Sequence, residues 1–350
     1  MKLHLFALTF VGLFAATAAS SQELIAGADF STYFDNREYT GCTFDESKTY
    51  FSARLTPIFG VAWEERNKLV IAVDLLQDFG RKTKFITDAK PQIYYEFNSP
   101  RVHLNAGIFP RAKLIGDYSK AFFSPDVVFY DNRLQGVLAQ YRSATSPSFV
   151  EFAFNWEGMY SMESREKFRI ISAGRYAGKH FYGGYALTIF HFAKSADESL
   201  NEGVIDNILV NPYVGAKFTA YFDFDVRLGY LQGLQRDRHV EAGWVTPKGG
   251  QLDFTMSRWG VSFYNRLYVG QNQMPFYNSY GTDLYAGTSF YGTTEHFYEE
   301  VGFSYSQRFF HDTLGIKCGI GMEYDGTGWG TRQMLELSVN FLKTVYKKKK

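Results

Sequence analysis

The stretch RQMLELSVNFLKTVYKKKK, residues 332–350, decides the fold class. Leu335, Leu337, Val339 and Phe341 alternate with Glu336, Ser338 and Asn340. Successive side chains of a β-strand point to opposite faces, so this period of two describes a strand with one dry face and one wet, partly charged face. Two architectures meet that description. In a soluble sandwich the dry side is a protein core; in a membrane barrel the dry side is lipid and the wet side an aqueous lumen.

The same pattern runs back through the chain as alternating segments of about ten residues, with no helical interruption. In YFSARLTPIFGVAW, residues 50–63, Phe51, Ala53, Leu55, Pro57, Phe59, Val61 and Trp63 share one face, and Ser52, Arg54 and Thr56 the other. In RVHLNAGIF, residues 101–109, Val102, Leu104, Ala106 and Ile108 oppose Arg101, His103, Asn105 and Gly107. We count about sixteen such segments, roughly 14–18 once boundary error is allowed for.

The connections decide between the two architectures. Short turns such as EERN (64–67), NSP (98–100), AGKH (177–180) and FHDT (310–313) alternate with longer links. Among the latter are REYTGCTFDESK (37–48), residues 110–132, AKSADESLNEGVIDN (193–207), QRDRHVEAGWVTPKGG (235–250) and residues 271–295. Short turns on one rim and long loops on the other belong to an outer-membrane barrel, whereas a sandwich would leave charges on nearly every wet face uncovered. The predicted fold is all-β, a transmembrane antiparallel up-and-down β-barrel.

Composition agrees. The chain holds 34 Phe, 25 Tyr and 32 Gly against only 9 Pro, which suits aromatic girdles at two interfaces. After the N-terminus no uncharged apolar run approaches the roughly 18 residues of a spanning helix, so a helical membrane protein is excluded. Lys2, the apolar run LFALTFVGLFAATA and the small residues to Ser21 predict a signal peptide over residues 1–21. Residues 22–346 would form the barrel and residues 347–350 a basic periplasmic tail. A net charge of +1 gives no reason to expect nucleic acid. Two cysteines, Cys42 and Cys318, make no disulfide framework.

At about sixteen strands a barrel is wide enough for a water channel. Parity turns Arg54, Asp74, Asp78, Glu96, Arg101, His103, Glu151, Arg169, Lys217, Arg227, Glu300, Arg308, Lys317, Glu323 and Glu336 inward as candidate pore-lining residues. Charges of both signs on so many strands would each cost several kcal/mol if dry and unpaired, so they call for water. The link from Pro110 to Asn132 is too apolar for an exposed loop, with Leu114, Ile115, Phe122, Phe123, Val127, Val128 and Phe129 among Asp117, Asp126 and Asp131. It is expected to fold back onto the barrel.

Two features resemble known families. The closing alternation that ends on Phe341 resembles the C-terminal assembly signal of bacterial outer-membrane β-barrels, which implies the barrel-assembly machinery as a partner during biogenesis; the extension KTVYKKKK departs from it. The position and length of the 110–132 link resemble the constriction loop of general porins, although the acidic glycine-containing loop tip of enterobacterial porins is missing. That resemblance implies a constriction built from Asp117, Tyr118, Asp126, Asp131 and Arg133, with the three aspartates facing Arg54, Arg101 and Arg133 across an eyelet. The aromatic-rich texture is similar to barrels of Bacteroidota.

The expected function is therefore a porin-like passive channel for small hydrophilic solutes, embedded in outer-membrane lipid, with a homotrimer as one compatible assembly. A plugged or gated transporter and a closed barrel acting as a surface receptor or adhesin are the alternatives; the tyrosine-rich stretch from Met274 to Thr294 suits the last. No HExxH, GxSxG or paired-cysteine metal motif occurs, and GTGWG (326–330) lies between strands. No catalytic residue, metal or cofactor is predicted, and the chain is expected not to be an enzyme.

Overall fold

The computed structural model describes residues 22–43, 45–80, 85–240 and 243–347; the expected signal peptide and residues 348–350 of the expected tail lie outside the described residues. Sixteen strands follow one another: β1 (Gln22–Glu38), β2 (Lys48–Trp63), β3 (Asn67–Asp78), β4 (Asp88–Asn98), β5 (Val102–Pro110), β6 (Arg133–Arg142), β7 (Phe149–Gly158) and β8 (Lys167–Ala177). Then come β9 (Phe181–Phe192), β10 (Ile205–Thr219), β11 (Asp223–Asp237), β12 (Lys248–Arg258), β13 (Val261–Gly270), β14 (Phe297–Phe309), β15 (Leu314–Tyr324) and β16 (Trp329–Lys347). Each pairs antiparallel with the next, and β1 pairs with β16 to close the barrel. This is the all-β barrel that the alternation predicts.

Closure fixes which face is which, because residues opposite each other on antiparallel strands share a face. Across the seam Asp29, Ser31, Tyr33 and Arg37 stand opposite Asn340, Ser338, Glu336 and Arg332, while Ala28, Phe30, Thr32 and Phe34 stand opposite Phe341, Val339, Leu337 and Leu335. The first set lines the interior. The second faces outward with Phe51, Phe59, Ile71 and Ile93, all exposed. β16 runs on through Lys347, whose ammonium lies 2.6 Å from Glu23.

The short turns gather at one end. Glu64 and Glu65 both have positive φ, 52° and 59°, as do Trp259 and Gly260 at 53° and 82°. A side chain is disfavoured in this left-handed region of backbone, which favours Asn and Gly. Glutamate there is strained.

At the other end the long links turn inward. A short helix α1 (Pro125–Tyr130) lies in the β5–β6 link and a second, α2 (Tyr277–Leu284), in the β13–β14 link. Ser124 caps α1 by accepting from the Val127 N–H, with Pro125 at the first position. Phe122, Phe123, Leu284, Tyr285, Phe290 and Tyr291 from these links are buried against Phe109, Leu134, Leu138, Phe190, Ile205, Leu231 and Tyr268 of the walls. A fully buried side chain of this kind contributes about 1.5–3 kcal/mol, so the two links are held by burial as well as by polar contacts. The interior is thus partly packed, not aqueous throughout as the width alone suggested. Inward wall positions on β5, β6, β9, β10 and β11 carry Phe, Leu and Ile where other strands carry charge.

Replacing Glu64 and Glu65 together by Asn and Gly should stabilise the barrel by about 1 kcal/mol or more. The expected readout is a higher urea midpoint with unchanged slope for the folded form in detergent.

Candidate functional site

The β5–β6 link, residues 111–132, is a strap whose anchors run round the inside of the barrel. Glu151 on β7 accepts from the Ile115 N–H at 2.9 Å, the Gly116 N–H at 2.6 Å and the Tyr118 hydroxyl at 2.8 Å. Asp117 accepts from Arg175 on β8 at 2.8 Å and from the Tyr213 hydroxyl on β10 at 3.3 Å. Lys120 crosses to β14 and β15, with its ammonium 2.7 Å from Glu300 and 3.2 Å from Glu323. Asp126 meets Arg37 on β1 at 3.0 Å, and Arg54 on β2 donates to the Phe129 carbonyl at 2.5 Å. The ring of Phe129 stacks on Tyr33 at 4.7 Å between centroids. The wall side chains among these, Arg37, Arg54, Glu151, Arg175, Tyr213, Glu300 and Glu323, are inward by the pairing register.

Beside the strap lies a buried ionic cluster. Asp35 is fully buried and accepts from Tyr33 at 2.6 Å, from both Nε and NH2 of Arg332 at 2.7 Å, and from Nε and NH2 of Arg37 at 3.0 and 2.7 Å. Arg332 also lies 4.0 Å from Glu323, which accepts from the hydroxyls of Tyr39 and Tyr298. Glu300 meets Arg266 at 3.0 Å, and Arg227 meets Asp253 at 2.6 Å.

The second link completes the interior. Tyr285 and Tyr280 donate to Gln235 at 2.6 Å and Asp237 at 2.5 Å on β11, and Phe290 stacks on Tyr298 at 5.0 Å. The two links are stitched together: the Ser124 N–H donates to Ala286 at 2.8 Å and the Thr288 N–H to Lys120 at 2.9 Å. A Cβ on Gly287 would sit 2.1 Å from the Ala121 carbonyl oxygen, so only glycine allows this seam. The tyrosine-rich stretch read as a surface for binding is therefore turned inward, with Met274, Leu284, Tyr285, Phe290 and Tyr291 buried.

Between the strap and the β1–β4 wall a cleft of about 460 Å³ remains. Asp29, Ser31, Arg54, Thr56, Lys68, Gln92, Glu96, Lys113 and Asn340 line it with Ile25, Ile58 and Tyr94. Lys68 lies 3.0 Å from Glu96, and Lys113 bonds the same carboxylate.

The structure places the other residues singled out from sequence as follows. Arg54 bonds Asp74, Ser52 donates to Asp78 at 2.8 Å, Arg169 meets Glu157 at 2.8 Å, Lys217 meets Asp225 at 3.0 Å and Lys317 meets Glu336 at 3.4 Å. His103 stands opposite Asn98 and Gln140. Arg308 donates to the Asp312 carbonyl near a short turn. The expected eyelet does not form. Asp117, Asp126 and Asp131 pair with Arg175, Arg37 and Arg111, not with Arg54, Arg101 and Arg133. Arg101 is exposed in the β4–β5 turn at the opposite end, and Arg133 donates to the Pro91 carbonyl at 3.1 Å.

Asp35, Arg37, Arg332, Arg266, Asp253 and Arg175 were absent from the sequence-derived set. Their signal was the same parity. Arg332 and Met334 precede Glu336 in step, and Asp35 and Arg37 follow Ser31 and Tyr33; β1 runs on to Glu38, past Arg37, where the sequence reading begins the first long link.

Three comparisons bear on this architecture. A family model described as Lipid A 3'-O-deacylase-type matches residues 16–338. No curated protein matches the sequence. The outer membrane protein opdK from Pseudomonas aeruginosa superposes with a TM-score of 0.50 at 10% identity, covering 92% of this chain and 99% of that one. Pseudomonas aeruginosa OprD does so at 0.50 and 11% identity, covering 92% and 95%. At such identities these structures speak for the porin-like barrel fold alone. The family model carries the name of an enzyme, and the expectation of a non-enzymatic protein, drawn from missing local motifs, is corrected by it. Catalytic groups on a barrel can come from many strands, so a search for contiguous motifs had little power to exclude them.

Two outcomes test the strap. Gly287→Ala should part the two links and raise single-channel conductance of the reconstituted protein, while an inert seam would leave it unchanged. For Asp126, burial pushes the carboxyl up, but the Arg37 guanidinium and the Ser124 hydrogen bond outweigh it and hold it below its ordinary value of 3.8. The Arg37–Asp126 tether is therefore intact above that value and is lost as pH falls further through the lowered one. Conductance should rise in that acid window, and Asp126→Asn should remove the step.

Proposed function

The chain belongs to the Lipid A 3'-O-deacylase-type family, and from its porin-like barrel we propose that it passes small hydrophilic solutes across the bacterial outer membrane, through a lumen narrowed by the 111–132 strap. The carrying observation is the cleft between strap and β1–β4 wall, where Arg54, Lys68 and Lys113 stand with Asp29 and Glu96. Charges left partly exposed there need water, and water beside a mixed-charge wall admits polar solutes and rejects apolar ones. In this reading the inward charges are wall residues, and Asp117, Asp126 and Asp131 act by holding the constriction in place. The barrel sits in outer-membrane lipid after export by its signal peptide and insertion by the assembly machinery.

A second reading follows from the family itself: cleavage of an ester-linked acyl chain from a lipid A-type glycolipid. Its supporting observation is the match over residues 16–338.

Planar-bilayer recording on the purified mature protein, with fatty-acid release from lipid A measured on the same preparation, tests both. The channel reading expects stepwise openings, enlarged in a variant carrying Asp117→Asn, Asp126→Asn and Asp131→Asn. A folded barrel that passes no current in either form overturns it. Release of fatty acid would support the second reading, and none from the folded protein would count against it.

A further inference from the structure

The outward face carries a charged group that the lumen does not explain. Near the loop-bearing rim the register aligns Trp156, Phe168, His191, Asp206 and Arg236 in a single row across β7 to β11. All five lie on the face opposite the inward residues Asn155, Arg169, Phe190, Asn207 and Gln235. Below the row the same face is apolar, with Ile170, Ile189, Ile208 and Leu234. Such a face meets acyl chains, and charge on it is tolerated only near the interface, where the cost falls from about 2–4 kcal/mol toward zero.

The row begins as an aromatic belt. Phe168 stacks between Trp156 at 6.0 Å and His191 at 4.9 Å. It ends in a carboxylate holding two guanidinium groups. Asp206 accepts from Arg238 at 2.8 and 2.9 Å and from Arg236 at 3.2 Å, and lies 3.5 Å from His191 Nδ1. One carboxylate against two arginines leaves a net positive charge, and Asp206 cannot take all ten guanidinium N–H donors. Arg236 packs against the Trp244 ring at 4.8 Å, and its buried Nε has no partner among the described residues. Arg238 is exposed. Paired guanidinium groups held at a membrane interface, with donors to spare and aromatic rings alongside, match the oxygens and charge of a phosphate whose acyl chains lie along the wall.

We propose that Arg236 and Arg238, positioned by Asp206, bind the phosphate of an outer-leaflet lipid headgroup, with Trp156, Phe168 and Trp244 as the apolar side of the site. The site lies outside the lumen and does not depend on conduction.

The test uses full-length mature protein in phosphatidylcholine nanodiscs containing a minor fraction of phosphatidic acid, with retained lipid counted by native mass spectrometry. Wild type should retain phosphatidic acid preferentially. Arg236→Gln with Arg238→Gln should lower that retention about tenfold, as expected for losing one charge-assisted contact or more. Arg238→Gln alone, at an exposed side chain, should lower it with the fold intact. Equal retention in wild type and both variants overturns the proposal. Displacement of the lipid by inorganic phosphate at equal concentration would also overturn it, since the site would then recognise a free anion and not a lipid.

Discussion

Asp35 is the point on which the interior turns. Its carboxylate sits on β1, fully buried, and its principal donor Arg332 comes from β16, so the pair spans the seam where the first and last strands meet. Backbone pairing closes any barrel, but backbone pairing alone tolerates slippage by two residues with no change of face. A fork of two guanidinium groups on one carboxylate does not. Slipping β1 by two would move Tyr33 to the position of Asp35 and leave buried Arg332 with only Glu323, 4.0 Å away, as its anion. Removing one partner of a buried, paired charge typically costs about 3–5 kcal/mol. The cluster therefore specifies register at the one junction with the greatest separation along the chain.

From that junction the charges run inward in order. Arg37 leads to Asp126, Arg332 approaches Glu323, and Glu323 and Glu300 share Lys120. Asp126 and Lys120 belong to the strap, so the same network that sets the seam also sets where the strap lies. On the opposite wall its position is set by Glu151, which accepts two backbone N–H groups and one hydroxyl. Because polar anchors hold the strap on both sides, its apolar residues can face the packed half of the interior without drawing the whole lumen shut. The packed region around Phe109, Leu134, Leu138, Phe190, Ile205 and Leu231 and the cleft along β1–β4 follow from which inward positions carry Leu and Phe and which carry Arg and Asp.

The barrel was readable in the sequence because period-two alternation and one-sided loop lengths are properties of neighbouring residues. The final stretch shows this well: Leu335 to Phe341 and Glu336 to Asn340 take the two faces that parity assigns them. Parity also placed Glu151, Glu300 and Glu323 inward. It could not name their partners. Asp117 finds Arg175 and Lys120 finds Glu300 across the lumen, and distance along the chain says nothing about such pairs. The inward turn of 271–296 was missed for a related reason. Tyrosine is equally at home on a binding surface and in a core where its hydroxyl has a partner, and the partners, Gln235 and Asp237, lie on a strand whose own loop hid the match.

Belonging to a family named for an enzyme while wearing a porin-like barrel is less of a conflict than it first looks. A closed sheet supplies rigid walls on two sides, and function is placed on it by a few residues. Here the walls present chemistry to two different solvents. Inside stand the paired charges and the strap; outside, at the loop-bearing rim, stands an aromatic row that ends in two arginines. A reaction on a membrane lipid would need access from the outer face, because the headgroup arrives there and the seam leaves no gap in the wall. Traffic of small solutes would need only the inner one. Alternation keeps the two faces chemically independent: a substitution at an even step along a strand changes one and leaves the other untouched. The same barrel can therefore carry a wet passage and a lipid-facing site without either constraining the residues of the other.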